Sequence, residues 1–275
     1  MKRLSRIFRA AAVVALVGSC VPQLAARAGG SASCTYSGGE VHVTLEQNGS
    51  DGLLRVAAGV ITFNASNCGS ATVLNTDSIL IEDTTENGST GITLDLSGGP
   101  FADGGDEIPI TVDLGSGPFD AFLVLGTSGN DNWTFGLRDG NLQNDDDAEI
   151  GFKAFPDIGI ALPDAGADRV CAHGGSGTGT PSLIRWTANG GEGADRLCGG
   201  NSGDTFVGGD QGDTMRGFGG GDTLRGKAGH DEIFGNKSSD LLKGGKGGDA
   251  LDGGPSSDVC KGGPGADTKT NCEAG

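Results

Sequence analysis

Bases, aromatics and long apolar runs are all in short supply. Nineteen Lys and Arg face 36 Asp and Glu, a formal net charge of −17. Five of those bases fall in residues 1–28, which hold no acid, so the remainder carries 14 bases against 36 acids. That balance argues against nucleic acid and anionic membranes as partners and for cations. Aromatic residues make up 5% and charged residues 20% of the chain, too little for a helical protein of this size, and no segment holds a helical period. The one apolar run, Ala10 to Val17, is too short to span a bilayer. No C-x-x-C pair exists and His42, His173 and His230 are scattered, which leaves a zinc site without a ligand set. Neither H-E-x-x-H nor a G-x-S-x-G elbow is present; Ser128, Ser176 and Ser202 all lack the second glycine. The glycine-rich run Gly174 to Thr180 has no lysine behind it, so it reads as a linker or loop and not as a phosphate cradle.

Glycine, by contrast, occurs 54 times. From Gly190 to Thr270 it opens nine consecutive blocks of nine residues without insertion: GGEGADRLC, GGNSGDTFV, GGDQGDTMR, GFGGGDTLR, GKAGHDEIF, GNKSSDLLK, GGKGGDALD, GGPSSDVCK and GGPGADTKT. Aspartate holds the sixth place throughout, as Asp195, Asp204, Asp213, Asp222, Asp231, Asp240, Asp249, Asp258 and Asp267. The eighth place is apolar from Leu197 to Cys260 and ends in Lys269. Six glycine-rich residues make a turn whose carbonyls can converge, and three more make a minimal strand with one inward side chain. Turn, strand, turn, strand closes a coil of 18 residues, so each block stacks on the next but one. Aspartates 18 apart then form two edges: Asp195, Asp213, Asp231, Asp249 and Asp267 on one, Asp204, Asp222, Asp240 and Asp258 on the other. Carboxylates with main-chain carbonyls suit a hard cation that takes six to eight oxygens.

The nonapeptide resembles the calcium-binding repeat of secreted hemolysin-type (RTX) proteins, a pattern whose ion is calcium. The resemblance covers 81 of 275 residues. It implies a right-handed parallel β-roll that needs Ca2+ to fold, with the nine sixth-place aspartates as metal ligands, up to four ions on the first edge and three on the second. The sequence departs from the pattern at the fourth place (Ser202, Gln211, Ser238, Ser256) and at the second (Phe218, Lys227, Asn236). Turns made there without glycine are expected to be strained and to bind more weakly, the second edge above all.

Upstream, short apolar runs broken by Gly, Asn and Asp predict an all-β region. Strand candidates are Val41 to Leu45, Leu53 to Phe63, Ser78 to Glu82, Gly91 to Leu96, Ile108 to Leu114 and Ala121 to Leu125, with turns at Asn48-Gly49, Asn87-Gly88 and Gly98-Gly99-Pro100. Worn copies of the repeat recur. Gly126 to Thr134 puts Asp131 sixth and Trp133 eighth, and Ala165 to Cys171 nearly copies Glu192 to Cys198 at a distance of 27. The N-terminal region is therefore either irregular solenoid or a separate β-sandwich.

Residues 1–28 read as a signal peptide, with a basic start, an apolar centre and Ala26-Arg27-Ala28 as a cleavage site; Val17 to Cys20 loosely fits a lipoprotein box with Cys20 as anchor. Cys34, Cys68, Cys171, Cys198, Cys260 and Cys272 remain, an even number that favours disulfides in an exported chain, paired 34–68, 171–198 and 260–272 in chain order. The organisation expected is signal peptide 1–28, a β-rich region 29–171 with degenerate repeats, a Gly-rich linker or irregular coil 172–189, the calcium-binding β-roll 190–270 and a cap 271–275. The functional expectation is a secreted, non-enzymatic calcium-binding protein with a structural, adhesive or interaction role and a cell-wall or surface polysaccharide or protein as partner. The alternative is a secreted hydrolase or polysaccharide-modifying enzyme whose acid and base come from Asp103, Asp106, Glu107, Asp113 and Asp120. The run Asn144 to Asp147 reads as a solvated acidic turn or an extra calcium site.

Overall fold

In most blocks the eighth-place side chain has a polar neighbour on at least one side and in every block it alternates with its two neighbours, so only one face of a three-residue strand points inward. The computed structural model, which describes residues 32–46, 51–84, 90–96, 102–103, 106–108, 110–114, 121–126, 129, 132–138, 141–144, 150–152, 158–162, 165–173 and 183–273, realises this pattern coil after coil. Strands of successive coils pair in parallel at an offset of 18. One sheet stacks Phe206 on Leu224, Leu242 and Cys260, and the sheet facing it stacks Leu197 on Met215, Ile233, Leu251 and Lys269. Every apolar member of both files is buried, at roughly 1.5–3 kcal/mol each for the largest. Two single files of side chains form the apolar interior of the roll. The fold is a parallel β-roll, and no described residue is helical.

The same long sheet continues upstream without a break. Its 11 strands include Asp51–Ala57, Gly91–Asp95, Ala121–Leu125, Ile158–Leu162 and Arg185–Glu192, in parallel register from Leu54 through Leu94, Val124, Ala161 and Ala188 to Phe206. Of the two alternatives for the N-terminal region, irregular solenoid is the one observed. A third sheet of 5 strands widens it: Glu40–Leu45, Ser78–Asp83, Ile110–Asp113 and Ile150–Phe152 run parallel, with Ala32–Ser37 antiparallel at the edge. Coils here are long and uneven. Val41 pairs with Ile79, Ile79 with Ile110 and Ile110 with Ile150, offsets of 38, 31 and 40. Ile158 pairs with Arg185 at 27, and only then does the 18-residue coil begin. Trp186 marks the narrowing: its indole lies over Gly159, where a Cβ would come within 2.6 Å of the ring.

Both worn repeats take their places. The strand Asn132–Arg138 pairs Trp133 with Val170, Val170 extends the file that begins with Leu197, and Arg169–Cys171 pairs with Arg196–Cys198 at the 27-residue offset. Asp131 lies outside the described residues. Most strand candidates hold, but Leu53 to Phe63 is two strands, Asp51–Ala57 and Val60–Phe63. The chain turns back at Ala58 and Gly59, whose φ angles of 51° and 77° no extended strand allows. Strands Val60–Phe63 and Ser66–Thr72 close the open edge of the long sheet antiparallel, and Cys34–Cys68 ties that edge to the third sheet. Cys171–Cys198 joins neighbouring strands, and Cys260–Cys272 holds the last coil, so all three expected pairs form. The signal peptide, Cys20, the three turn signals, Gly174 to Thr180 and Asp145 to Asp147 fall outside the described residues.

Candidate metal centre

Each sixth-place aspartate sits where its turn becomes strand, and from Asp195 to Asp249 both its main-chain N–H and its C=O are bonded to neighbouring coils. The main-chain N–H of Asp195 donates to Asp213 Oδ1, that of Asp213 to Asp231, that of Asp231 to Asp249 and that of Asp249 to Asp267, at 2.9–3.0 Å. On the other edge Trp186 N–H donates to Asp204 Oδ1, Asp204 to Asp222, Asp222 to Asp240 and Asp240 to Asp258, at 2.7–2.8 Å. The structure thus gathers the nine aspartates into the two expected rows. All but the half-exposed Asp267 are buried.

One oxygen of each carboxylate is accounted for in this way; the other is not. Oδ2 of Asp195, Asp213, Asp222, Asp231, Asp240, Asp249 and Asp258 is buried without a hydrogen-bond partner. Its surroundings explain why. Asp222 Oδ2 and the carbonyl oxygen of Gly235 both crowd the space a Cβ on Gly217 would fill, and the same holds for Asp231 with Gly244 O at Gly226 and for Asp249 with Gly262 O at Gly244. First-place glycine is therefore required by close approach, and the cradle it opens presents acceptors only. Acceptors brought together out of water need a cation or a proton between them. Burial accordingly pushes the Asp222 carboxyl up to about 8, those of Asp204 and Asp213 to about 7 and that of Asp240 to about 6, and raises Asp195 and Asp231. Like charges along the row add to the rise at Asp213, Asp222, Asp231 and Asp240, while the main-chain N–H bond to each opposes it. Among the described residues no three His, Cys, Asp or Glu side chains cluster, so a cation held here would combine single carboxylates with main-chain carbonyls. That donor set, all oxygen and partly anionic, fits calcium.

The turns keep one shape whether or not glycine is present. Fourth-place Gln211, Ser238 and Ser256 have φ of 77°, 78° and 123°, and second-place Phe218, Lys227 and Asn236 have 68°, 88° and 72°. Left-handed backbone costs a side-chain-bearing residue roughly 1–2 kcal/mol, so these turns are strained as expected. The block of Asp204 alone differs. Neither Gly200 nor Ser202 is left-handed, and Gly200 N–H donates to Asp204 Oδ2 at 2.9 Å, occupying the oxygen that other blocks leave open. Asp168 adds a member that the nine-block count omits: its N–H donates to Asp195 Oδ1, and it is buried like the rest. Its signal was the near-copy Ala165 to Cys171.

Of the alternative site, the structure describes the backbone of Asp103, Asp106, Glu107 and Asp113. Asp103 and Asp106 are paired across a short hairpin, Asp113 ends a strand of the third sheet beside Glu82, and Asp120 lies outside the described residues. His42 meets Glu82 at 2.9 Å, His173 stacks on Phe218, and His230 Nδ1 faces the main chain of Gly248. No helix of the described residues is long and apolar enough to cross a membrane.

No curated protein and no solved structure matches the chain. The family profile of the RTX calcium-binding nonapeptide repeat (4 copies) matches at residues 187–215, 216–249 and 234–268. Together with the two aspartate rows and their acceptor-only cradles, this identifies residues 187–268 as an array of RTX calcium-binding nonapeptide repeats.

Proposed function

We propose that this is an exported, non-enzymatic protein whose repeat region becomes a rigid rod when calcium is present outside the cell and serves there as a structural or adhesive element. The observation that carries the reading is the row of buried, unpartnered Oδ2 atoms, those of Asp195, Asp213, Asp231 and Asp249 on one edge and Asp222, Asp240 and Asp258 on the other, as carboxylate ligands; half-exposed Asp267 ends the first row. Asp204 belongs to the second row, with its Oδ2 drawn away by Gly200 N–H. Calcium supplies the charge that lets these carboxylates stay ionised out of water. Everything else is done by the chain: main-chain N–H groups aim each Oδ1, first-place glycines open the cradle, and the apolar files fix the spacing. Three disulfides and the leader-like residues 1–28 support an oxidising, extracellular destination. Absence of a hydrolase motif supports a role without catalysis.

Titration of the chelated protein with calcium, followed by far-UV circular dichroism and calorimetry with magnesium as control, tests the proposal. A gain of β signal together with binding of several calcium ions is expected. An unchanged spectrum and no heat of binding would remove it.

A further inference from the structure

The two outward faces of the roll differ in charge. On the shorter facing sheet the signs are mixed, with Arg196 and Arg216 among Glu232 and Asp252. On the long sheet, strands Thr205–Asp210, Thr223–Ala228, Leu241–Lys246 and Val259–Lys261 carry Arg225, Lys227, Lys243, Lys246 and Lys261. Their one carboxylate is Asp210, at the far end of the first strand. Such a face runs against the composition of a chain with 36 acids and 19 bases.

Register sharpens the pattern. Arg225, Lys243 and Lys261 are consecutive partners on neighbouring strands, one cation per coil in a straight row, about 4.8 Å apart. They alternate with the inward Leu224, Leu242 and Cys260, so they leave the sheet on its solvent side. Among the described residues, none of the five cations on this face makes an ion pair or a side-chain hydrogen bond. Like charges set directly opposite repel. The repeat does not demand them either, because Val207 holds the same place one coil earlier and Phe234 holds it on the facing sheet.

We propose that this face binds a linear acidic polysaccharide, laid along the solenoid with its carboxylates on the row Arg225, Lys243 and Lys261. A straight row of single charges complements a thread with a regular anionic repeat. Duplex DNA instead carries a charge for each ~1.7 Å of axis on two winding strands. Single-stranded nucleic acid is gripped by aromatic platforms, and the only aromatic on these four strands, Phe206, is buried. Half-exposed Thr205 and Thr223, beside the row, offer hydroxyls to sugar hydroxyls. The proposal rests on the calcium-dependent fold proposed above, whose turns space these strands.

Calorimetry on the full chain in calcium, with a short oligogalacturonate as probe and its methyl ester as uncharged control, tests it. The acid form binds and the ester does not, with affinity falling on the order of a hundredfold between about 50 and 200 mM salt. The double variant Arg225→Gln, Lys243→Gln loses roughly tenfold or more, whereas the double variant Arg196→Gln, Arg216→Gln on the mixed face, which removes the same charge, loses less than about threefold. Circular dichroism of each variant with and without calcium reads folding separately from binding, so a failure of the calcium reading is told apart from a failure of this one. A calcium-folded chain that ignores oligogalacturonate overturns the proposal. So do equal losses in the two double variants, or tighter binding to oligodeoxythymidine or to phosphatidylserine vesicles than to the oligogalacturonate.

Discussion

Replacing Asp222 by asparagine should stabilise the calcium-free protein while removing part of its response to calcium. Asp222 Oδ1 accepts from Asp204 N–H at 2.7 Å, and an asparagine Oδ1 can do the same. Its Oδ2 faces acceptors and has no donor, so an amide in that place would point N–H groups toward the carbonyl side of the cradle. Burial holds the carboxyl at about 8 against an ordinary 3.8. Because the folded value is the higher one, the carboxyl destabilises the calcium-free fold above the unfolded value and ceases to do so as pH falls below it. Near pH 7, some 3 units at about 1.4 kcal/mol each set a ceiling of about 4 kcal/mol. Solvent reaching the turn screens about half of that, leaving ~2 kcal/mol. At 2–4 °C per kcal/mol for a chain of this length, the asparagine variant should melt about 4–8 °C higher in chelator. It should lose the advantage near pH 4. Asp222→Ala should gain little, since the orphaned Asp204 N–H costs about 1–3 kcal/mol. Thermal melts of the three proteins by circular dichroism, with and without calcium, decide the matter. An asparagine variant no more stable than wild type in chelator at pH 7 would refute the acceptor-only cradle.

An inner aspartate borders two cradles and a terminal one borders a single cradle, so Asp231→Ala should reduce bound calcium more than Asp267→Ala; equal losses by calorimetry would contradict the 18-residue stacking. Protons compete for the carboxyls held at about 6 to 8, so apparent calcium affinity should weaken as pH falls from about 8 to 6 while the chelated protein melts higher over the same range; the opposite sign in chelator would count against burial as the cause. Cys272→Ser should lower the melting temperature by releasing a loop of separation 12, worth about 3 kcal/mol, and a non-reduced digest should link Cys260 to Cys272; finding both thiols free would remove the pairing.

The roll was legible because every residue type in it has one job repeated nine times. Aspartate at a fixed place predicted the two rows, and the alternation around the eighth place predicted which side chains go inward. The second block broke the pattern where a block-by-block reading has no purchase. Its glycine and aspartate are present, but the conformation of Gly200 sends an N–H to Asp204 Oδ2, and no residue type records that. Upstream the difficulty is different. Coils of 27 to 40 residues have no common period, because three sheets and inserted hairpins absorb variable lengths. The hairpin at Ala58 and Gly59 hid inside a continuous apolar run, and the edge strands Ala32–Ser37 and Ser66–Thr72 are rich in Ser, Thr and Asn, with a disulfide in place of an apolar file.

That contrast between wide and narrow coils sets an order of folding. Upstream, residues such as Val43, Leu54, Ile81, Ile92, Val112 and Phe122 bury side chains between three sheets, so a coil there encloses several apolar groups. A repeat coil encloses two, and its turns bring unpartnered carboxylates out of water. The upstream solenoid can therefore stand without calcium, and its last strand, Arg185–Glu192, offers Thr205–Asp210 a ready edge on which to pair. Repeat arrays add stability coil by coil through neighbouring contacts, so calcium should extend the rod from this edge toward Cys272. Hydrogen exchange in chelator should find protected amides in Val41 to Leu45 and Ile79 to Ile81 and unprotected ones from Thr223 onward, with protection reaching Thr268 to Thr270 only as calcium is added. Uniform protection in chelator, or protection that begins at the C-terminal coils, would show that the repeats do not depend on the upstream solenoid as their template.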